Sequence, residues 1–554
     1  MLLALALLVW DPHATAQAPK AFAVCAVTLV GAAWCAFRRA PLVLPRALAA
    51  AGVWVAWSCL GLLWGSPSAV CGQGLAMAAF VLALLGRASW SIADLRLGLH
   101  GLATFLGVST SGWALYQYLT GARGSYLHGG MGNPNWLGLL LVLTLLLGAP
   151  GPRALSSGRG RLKAALTLTP QLAVLYLAEA RVAWVALCVA VVFAALRFRV
   201  ASTQRLTPHL VWLCAVAAPV AAWGATPSGS GGWQEALAGR RFIWRSALEP
   251  LALHPLQALT GLGSGEFAGA FLEGQGALLA QLGERSAARA FQAVQSAHSD
   301  WVQALVEHGL IGWLALVAWF ALALRSKPGQ GWILGETAMV ALMVCAIADA
   351  PLEQPAVLVL ALLTTAALGG DAFGHLPRVR RFPLWWVALA LLGVATRLSA
   401  GHWLSERAVS AAREHPERRE AELQRAVSLD AYAAQAHFEL AVALLDGGQP
   451  ARSLEHADRS KRLTRSLGAE LVRAKALSRL GRLRESRQAL LDARLLSPGS
   501  FRVNLGLAAV ELELGELDAA DTSWSRAADV LPGDPRLQPL RERLKRARRA
   551  LELN

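Results

Sequence analysis

Charged side chains are scarce in this sequence, which has 554 residues of which only 16% are Asp, Glu, Lys or Arg and 55% are hydrophobic. A soluble globular protein with this composition would need an implausibly large core. The scarcity of charge therefore excludes a soluble globular fold for the chain as a whole and predicts that most of the chain lies in a bilayer. The net charge of +16 does not indicate nucleic acid as a partner, because membrane proteins gather basic residues in their cytoplasmic loops.

Cysteine pairs are also lacking. The sequence contains seven cysteines but no CxxC and no grouping of cysteine with histidine, which excludes a recognisable zinc site and a disulfide framework. All seven fall in or beside apolar segments and are interpreted as small buried hydrophobic residues: Cys25, Cys35, Cys59, Cys71, Cys188, Cys214 and Cys345.

What the sequence does have is a series of long apolar stretches. Twelve are long enough to cross or nearly cross a bilayer, at 21–37, 47–65, 70–86, 98–119, 134–150, 164–179, 180–196, 208–224, 301–324, 332–349, 355–369 and 383–400. The apolar start MLLALALLVW is too short to span, and we expect it to be the remainder of a clipped first helix. The fold class predicted is all-α, a polytopic transmembrane bundle of about twelve spans.

The basic residues predict the orientation. Under this list of spans the basic clusters fall on alternate sides, which the positive-inside rule assigns to the cytoplasm: Arg38, Arg39, Arg46, Arg87, Arg96, Arg153, Arg159, Arg161, Lys163, Arg197, Arg199, Arg205, Arg325, Lys327, Arg378, Arg380 and Arg381. The opposite side holds the turn at 120–133, the hairpin near Arg181, the long segment at about 225–300, the turn at 350–354 and everything after about residue 401. Any catalytic face is therefore expected to be extracytoplasmic.

A repeat follows the membrane domain. Gly447, Gly481 and Gly515 are spaced 34 residues apart, and Pro498 and Pro532 share that period. This pattern resembles tetratricopeptide repeats, with good matches at 467–500 and 501–534, a degenerate unit at 433–466 and a capping helix at 535–554. We expect a membrane domain at 1–400 and a helical repeat domain at 401–554, the alternative for the latter being an ordinary helical bundle.

Arginines on the outer side are the first candidates for chemistry. Arg181 interrupts an apolar stretch, two residues after Glu179, and either snorkels to the headgroups or faces a phosphate. A second group occupies one short helix: positions 241 and 245 share a face and Arg240 lies on the next. Arg240, Arg241 and Arg245 predict an anion between them or contact with anionic headgroups.

His298 opens the stretch HSDWVQALVEHGLIG, where a polar segment meets a long apolar one. A neutral imidazole there can take a proton from an attacking hydroxyl, although an interfacial histidine is often structural. Ser299 or Asp300 is expected to cap the following helix. Gly309 and Gly312 permit close helix approach.

Two other motifs are turns in this interpretation. GNPNW at 132–136 starts a span, with asparagine and proline capping the helix, and Asn133 or Asn135 is also available to hydrogen-bond a substrate. GLGSGEF at 261–267 superficially resembles a nucleotide-binding loop but lacks a βαβ context, so we predict a tight turn.

Together these motifs resemble the O-antigen ligase family. The resemblance rests on His298 and Ser299 followed after nine residues by GLIG, on GNPNWLG, on ARVAWVAL and on the run from Gly239 through GLGSGEF, in the family's order over about residues 40–370. It implies a glycosyltransferase that uses an undecaprenyl-diphosphate-linked glycan at the periplasmic face of the inner membrane, as in joining O-antigen to lipid A-core. By resemblance Arg181 and Arg240 bind the donor diphosphate, with support from Arg241 and Arg245, and His298 deprotonates the acceptor hydroxyl.

Physical chemistry is compatible with that assignment. A sugar diphosphate is already a fair leaving group, so the protein has mainly to neutralise developing charge and to position a nucleophile. The sequence has no Asp-x-Asp pair and no evident carboxylate cluster on the outer side, so neither a metal nor another cofactor is predicted. We expect a metal-independent single displacement that inverts the anomeric carbon.

Several alternatives stay open. An O-antigen or exopolysaccharide polymerase and a protein O-oligosaccharyltransferase share these motifs, and the acceptor is accordingly lipid A-core, a glycan or a protein. Repeats of this kind usually bind protein segments, so a protein partner is expected. A membrane-tethered repeat scaffold would not need His298 or Arg181, and a transporter would be expected to have internal repeats among its spans.

Overall fold

The computed structural model describes residues 1–38, 44–122, 126–150, 155–201, 233–253, 255–325, 332–368, 372–373 and 382–552. Within these ranges the chain is almost entirely helical. The first half contains α1 (Leu2–Leu8), α2 (Ala18–Arg38), α3 (Arg46–Leu60), α4 (Val70–Ser89), α5 (Ile92–Leu119), α6 (Pro134–Leu147), α7 (Gly158–Leu177), α8 (Arg181–Ala201), α9 (Trp233–Leu253), α10 (Pro255–Thr260), α11 (Phe267–Leu279) and α12 (Glu284–Ala290).

The second half continues with α13 (Asp300–Ala323), α14 (Ile333–Ala348), α15 (Pro355–Leu368), α16 (Phe382–Glu414), α17 (Arg419–Leu429), α18 (Ala434–Asp446), α19 (Pro450–Leu463), α20 (Leu467–Arg479), α21 (Leu483–Leu496), α22 (Phe501–Glu513), α23 (Leu517–Val530) and α24 (Leu537–Glu552). Two short strands, β1 (Leu44–Pro45) and β2 (Ala372–Phe373), pair antiparallel. The all-α prediction is therefore confirmed for the described residues.

The chain divides into two compact units. The first is made of Met1–Leu62, Ala69–Ala238 and His298–Trp403, and the second of Leu63–Ser68, Gly239–Ala297 and Leu404–Asn554. In the first unit α15 is buried along its whole length and α6 over most of it. Both helices are apolar on all sides, which is typical of a central helix.

Five helical segments of the described residues are long and apolar enough to cross a membrane: Ala18–Cys35, Arg46–Leu63, Pro67–Ser89, Asp300–Ala323 and Trp386–Glu414. Shorter apolar helices occupy Pro134–Leu147, Ile333–Ala348 and Pro355–Leu368. The apolar stretches predicted from the sequence coincide with helices throughout, apart from 208–224, which lies outside the described residues. The chain is thus a multi-pass membrane protein, and a total of about twelve spans stays a prediction.

The repeat domain consists of consecutive helix pairs, α18 with α19, α20 with α21 and α22 with α23, each pair packed against the next. The last two pairs match the predicted units, and α24 closes the array. The unit called degenerate in the sequence is a complete pair. Its turn glycine is Gly448, with φ of +74°, and not Gly447, because this unit is one residue shorter than the 34-residue period; Gly481 and Gly515 have φ of +72° and +78°.

Candidate functional site

His298 has an unusual backbone in the first unit. Its φ is +47°, one of two positive values for non-glycine residues in the described chain, and its side chain is exposed. Positive φ brings the Cβ of an L-residue too close to its own backbone and costs about 1–3 kcal/mol. Residues held in this way cluster at active sites and ligand clamps, so the backbone marks His298 independently of its motif.

The residues after His298 hold it in place. Ser299 is the N-cap of α13: its Oγ accepts from the Val302 N–H at 3.4 Å and donates to the Ala346 carbonyl at 3.1 Å. The predicted capping role of Ser299 is therefore confirmed. Asp300 is buried, and its carboxylate accepts from the Leu352 N–H at 3.0 Å. These bonds fix the start of α13 against the end of α14 and the turn that follows.

The glycines of GLIG create a break inside α13. Gly309 has φ of +63° and ψ of −167°, a combination that is essentially restricted to glycine. The Trp57 indole of α3 donates to the His308 carbonyl at 2.8 Å beside this break. A Cβ on Gly312 would meet the Cβ of His308 and lie 2.9 Å from Trp57 Cδ1. One glycine therefore supplies the backbone conformation, and the other supplies room for α3.

Several carboxylates lie next to this helix start. Asp300, Glu307 and Asp349 are buried, and Glu353 lies in a short 3-10 turn between α14 and α15. Burial, followed by the nearby charges of Glu307 and Asp349, raises the pKa of Glu353 to about 8. In the sequence, each of these carboxylates is an acidic residue among apolar ones, which marks it as a candidate functional group. Their spacing along the chain does not show that they lie close together.

Arg181 is the first residue of α8 and is partly buried. Glu179, two residues before it, has the other positive φ, +52°. Ala178 and Ala180 on either side of Glu179 are buried. The predicted hairpin is therefore a tight left-handed turn between α7 and α8, which places the guanidinium at the start of a helix, where the macrodipole favours anions.

The asparagines of GNPNW act on the backbone. Asn133 is the N-cap of α6, its side chain accepts from the Asn135 N–H at 2.8 Å, and proline follows at the first helical position. The capping prediction is confirmed for Asn133. The Asn135 side chain is exposed.

In the second unit α9 carries the remaining predicted cations. Arg240 is partly buried, while Arg241 and Arg245 are exposed. Ile243, Ala247 and Leu251 form the buried face of the same helix. The prediction that these arginines share a helix is confirmed.

Trp244 on this helix makes a long-range bond. Its indole Nε1 donates to the Ala297 carbonyl at 2.8 Å. Ala297 directly precedes His298 in the chain. The helix with three arginines is therefore tied to the peptide that leads into the histidine, which sequence spacing did not indicate.

GLGSGEF is a turn, as predicted, with positive φ at Gly261, Gly263 and Gly265. This turn packs against the hairpin at 63–68, and the Ser66 N–H donates to the Ser264 carbonyl at 2.9 Å. The two backbones lie so close together that a Cβ on Gly65 or Gly263 would collide with the facing chain. The Ser66 hydroxyl also donates to the Leu463 carbonyl at the end of α19.

A cleft of about 430 Å³ opens beside this turn and is lined by Trp64, Pro250, Gln257, Leu262, Glu266, Gly269, Ala270, Glu273, Lys461, Arg462, Leu463, Thr464 and Arg465. Burial raises the pKa of Glu266, and Arg465 partly offsets the rise. The lining combines an indole with amide, hydroxyl and charged groups.

Comparisons with known proteins bear on the middle of the chain. Residues 165–317 match the family model described as O-antigen ligase, a little over a quarter of the chain. No curated protein matches. Among solved structures, the yeast Tom70 crystal structure aligns at 12% identity with 80% of this chain and 96% of its own, at a TM-score of 0.25. The Cut9–Hcn1 hetero-tetramer of the APC/C aligns at 13% identity with 85% and 89%, at a TM-score of 0.24. Scores this low carry no information about a shared fold.

The matched range has a clear relation to the predicted site. It includes Arg181, the three arginines of α9 and His298 with both glycines of GLIG, and it leaves out the two asparagines of GNPNW. The first unit holds Arg181, His298 and the asparagines, and the second holds the α9 arginines. Over residues 165–317 this multi-pass membrane protein is thus similar to the O-antigen ligase family, and this similarity supports a glycan-transferring membrane enzyme.

Proposed function

We propose that this protein transfers a glycan from an undecaprenyl-diphosphate donor to an acceptor hydroxyl at the periplasmic face of the inner membrane, as in O-antigen ligation to lipid A-core. The observation that carries the proposal is His298. It lies inside the range that matches the O-antigen ligase model, and its imidazole is exposed. Its strained backbone is followed directly by the buried hydrogen bonds of Ser299 and Asp300. Strain of this kind persists only where the surroundings over-determine it.

The chemistry follows from these groups. His298 takes the proton of the acceptor hydroxyl as its oxygen attacks the anomeric carbon, and the bond from that carbon to the diphosphate oxygen breaks. Attack opposite the leaving diphosphate inverts the anomeric carbon. Arg181 and Arg240, supported by Arg241 and Arg245, neutralise the diphosphate, for which planar guanidinium groups are well suited. Asn133 and Asn135 are proposed substrate contacts.

Charge stabilisation by fixed arginines makes the reaction independent of a metal ion in this proposal. The carboxylates around Glu353 then have a structural task, since Asp300 fixes the turn after α14 through the Leu352 N–H. Transfer in the presence of EDTA should equal transfer without it. A requirement for added magnesium or manganese would remove this part of the mechanism.

Contacts within the second unit support the proposal that the loop and the repeats are both extracytoplasmic. Its hairpin at 63–68 connects the two candidate spans Arg46–Leu63 and Pro67–Ser89, and it bonds to both the 261–267 turn and the end of α19. Loop, hairpin and repeats therefore belong on one side of the membrane. The positive-inside rule predicts that this side is the periplasm.

The first test is a gel of cell-surface glycans from a deletion strain that carries wild-type, His298→Ala or Arg181→Ala protein. Loss of the long-chain lipopolysaccharide ladder supports ligation. Core carrying a single repeat unit indicates the polymerase alternative, and a shifted glycoprotein with an unchanged ladder indicates protein O-oligosaccharyltransferase activity.

Matched controls are His415→Ala and Arg159→Ala, which replace an exposed histidine and an exposed arginine outside the proposed site. Both should restore every glycan. Should His298→Ala and Arg181→Ala do so as well at normal abundance, the proposed site is wrong and the repeat scaffold becomes the better explanation.

A further inference from the structure

The loop helices α11 and α12 pack against the repeat domain inside the second unit. α11 contacts α21, and α12 contacts α23. Both α21 and α23 are the second helices of their pairs. The loop therefore lies on the second-helix side of the array.

The contacts follow the period of the repeats. Glu273 of α11 forms an ion pair with Arg465 at 2.6 Å, and one period after Arg465 comes Gly499. A Cβ on Gly499 would come within 2.5 Å of the Glu284 carbonyl and the Ala288 nitrogen of α12. The loop thus uses equivalent positions of successive repeats.

A second pair of contacts repeats the pattern. A Cβ on Gly276 of α11 would collide with the Leu495 carbonyl at the end of α21. One period later, Arg285 of α12 donates to the Asp529 carbonyl at the end of α23. Both contacts involve backbone carbonyls, which side-chain changes in the repeats do not remove.

Glu284 adds a polar anchor between the same elements. It pairs with Arg526 at 3.7 Å and lies 3.5 Å from the Asn504 amide. Burial raises the pKa of Glu284, and Arg526 and Arg494 lower it in turn. The carboxylate is therefore held by groups that come only from the repeats.

The arginine helix is attached to the same support. α9 and α11 approach so closely that a Cβ on Gly274 would collide with the Ser246 carbonyl, and Phe242 meets Phe271 edge to face at a centroid distance of 6.4 Å. A line of packed contacts thus runs from the repeats through α11 to α9, which carries Arg240, Arg241 and Arg245.

We propose that the repeat domain has the chain's own extracytoplasmic loop as a partner, and that α21 and α23 position the arginines of α9 for donor binding. This inference rests on the proposed function for the role of those arginines. Gly276 and Gly499 are positioning residues, since they set the distance between loop and repeats and touch no substrate. A protein partner on the first helices α18, α20 and α22 stays compatible with it.

The chain offers a matched pair for the test. Gly499 and Gly533 are one period apart, each follows a proline, and a Cβ on Gly533 would meet nothing within 4 Å. In the full-length protein, Gly499→Val should lower the rate of glycan transfer at least tenfold and raise KM for the lipid-linked donor. Gly533→Val should change either quantity less than twofold. Equal effects of the two substitutions would overturn the proposal.

A charge exchange guards against simple misfolding. Arg465→Glu should reduce transfer by about two- to fivefold, and the double variant Arg465→Glu with Glu273→Arg should restore it, because the ion pair is reversed and re-formed. If the double variant recovers none of the activity lost in Arg465→Glu, the proposed contact between the loop and the repeats is contradicted.

A structural readout separates this inference from the proposed function. Cysteines placed at 273 and 465 in the full chain should be joined by a short thiol cross-linker, as detected by mass spectrometry of the linked peptides, and Gly499→Val should lower the yield. This expectation holds whether or not the protein transfers glycans. If His298→Ala abolishes transfer while Gly499→Val alters neither transfer nor cross-linking, only the positioning role is wrong.

Discussion

The start of α13 and the arginine helix α9 are held by different means. Around His298 the supports are hydrogen bonds from the neighbouring residues in the chain and from the adjoining turn, including the Ser299 cap and the Asp300 carboxylate. α9 depends on packing against α11, which in turn rests on helices more than 200 residues later. The base is thus fixed by hydrogen bonds to a segment 47 to 52 residues later in the chain, whereas the cations are fixed by packing that leads to the repeats.

The two regions are therefore sensitive to substitutions at different places in the chain. The hydrogen-bond network at His298 is disturbed by changes at the start of α13 or in the adjoining end of α14 and the turn that follows it. A long-range support is disturbed by changes in the repeats that leave the membrane unit intact. The predictions below concern substitutions in and around α13, and their effects can be compared with those expected at Gly499.

The largest effect is expected from His298→Asn. Asparagine tolerates positive φ, so this change keeps the backbone and removes the base. Transfer should fall by about 10²–10⁴-fold, the usual contribution of a general base, with the unfolding midpoint unchanged. The control Glu179→Asn fills the other positive-φ position and should keep most of the activity. If His298→Asn keeps nearly full transfer activity, the imidazole has a structural role and is not the general base.

The second effect is a pH dependence of stability from Glu353. Its folded pKa of about 8 lies above the value of 4.5 expected when unfolded. Between these values the unfolded chain releases a proton that the native chain keeps, so native stability falls as pH rises, by at most about 1.4 kcal/mol per unit, and levels off above pH 8.

Glu353→Gln should make this slope smaller, as measured by the unfolding midpoint in detergent at pH 6, 7 and 8. Glu417→Gln changes an exposed carboxylate and should keep the wild-type slope. An unchanged slope in Glu353→Gln would contradict the assignment of the raised pKa to this buried carboxyl.

The smallest effect is expected from Gly309→Ala at the break in α13. The alanine Cβ is strained at this backbone conformation, with an expected loss of about 1–3 kcal/mol in the free energy of unfolding. Gly98→Ala in α5 is the control, because a Cβ there meets nothing within 4 Å and alanine favours a helix by up to about 1 kcal/mol. The two midpoints should move in opposite directions; a shift in the same direction would argue against strain at Gly309.

Much of the fold could be predicted because long apolar periodicity is a strong signal. Each apolar stretch within the described residues falls on a helix, although the helix Phe382–Glu414 runs well past the predicted end at residue 400. Ser299 and Asn133 cap helices as their residue types favour. The turn glycine of the first repeat shows where such prediction fails. The 34-residue period predicted Gly447, but the structure uses Gly448, because this unit is one residue shorter and its surrounding sequence pattern is unchanged. The carboxylates around Glu353 were missed because they come from different helices.

The helical class, the membrane setting, the repeat period and the identity of the candidate base and cations follow from the amino-acid sequence alone. These depend on residue type and on spacing along one element, which local physics reads directly. Three features come from the three-dimensional structure: His298 has a left-handed backbone, Trp244 bonds to the peptide before His298, and the repeats pack against the loop. Each of these arises from contacts between residues far apart in the chain, for which no local pattern exists.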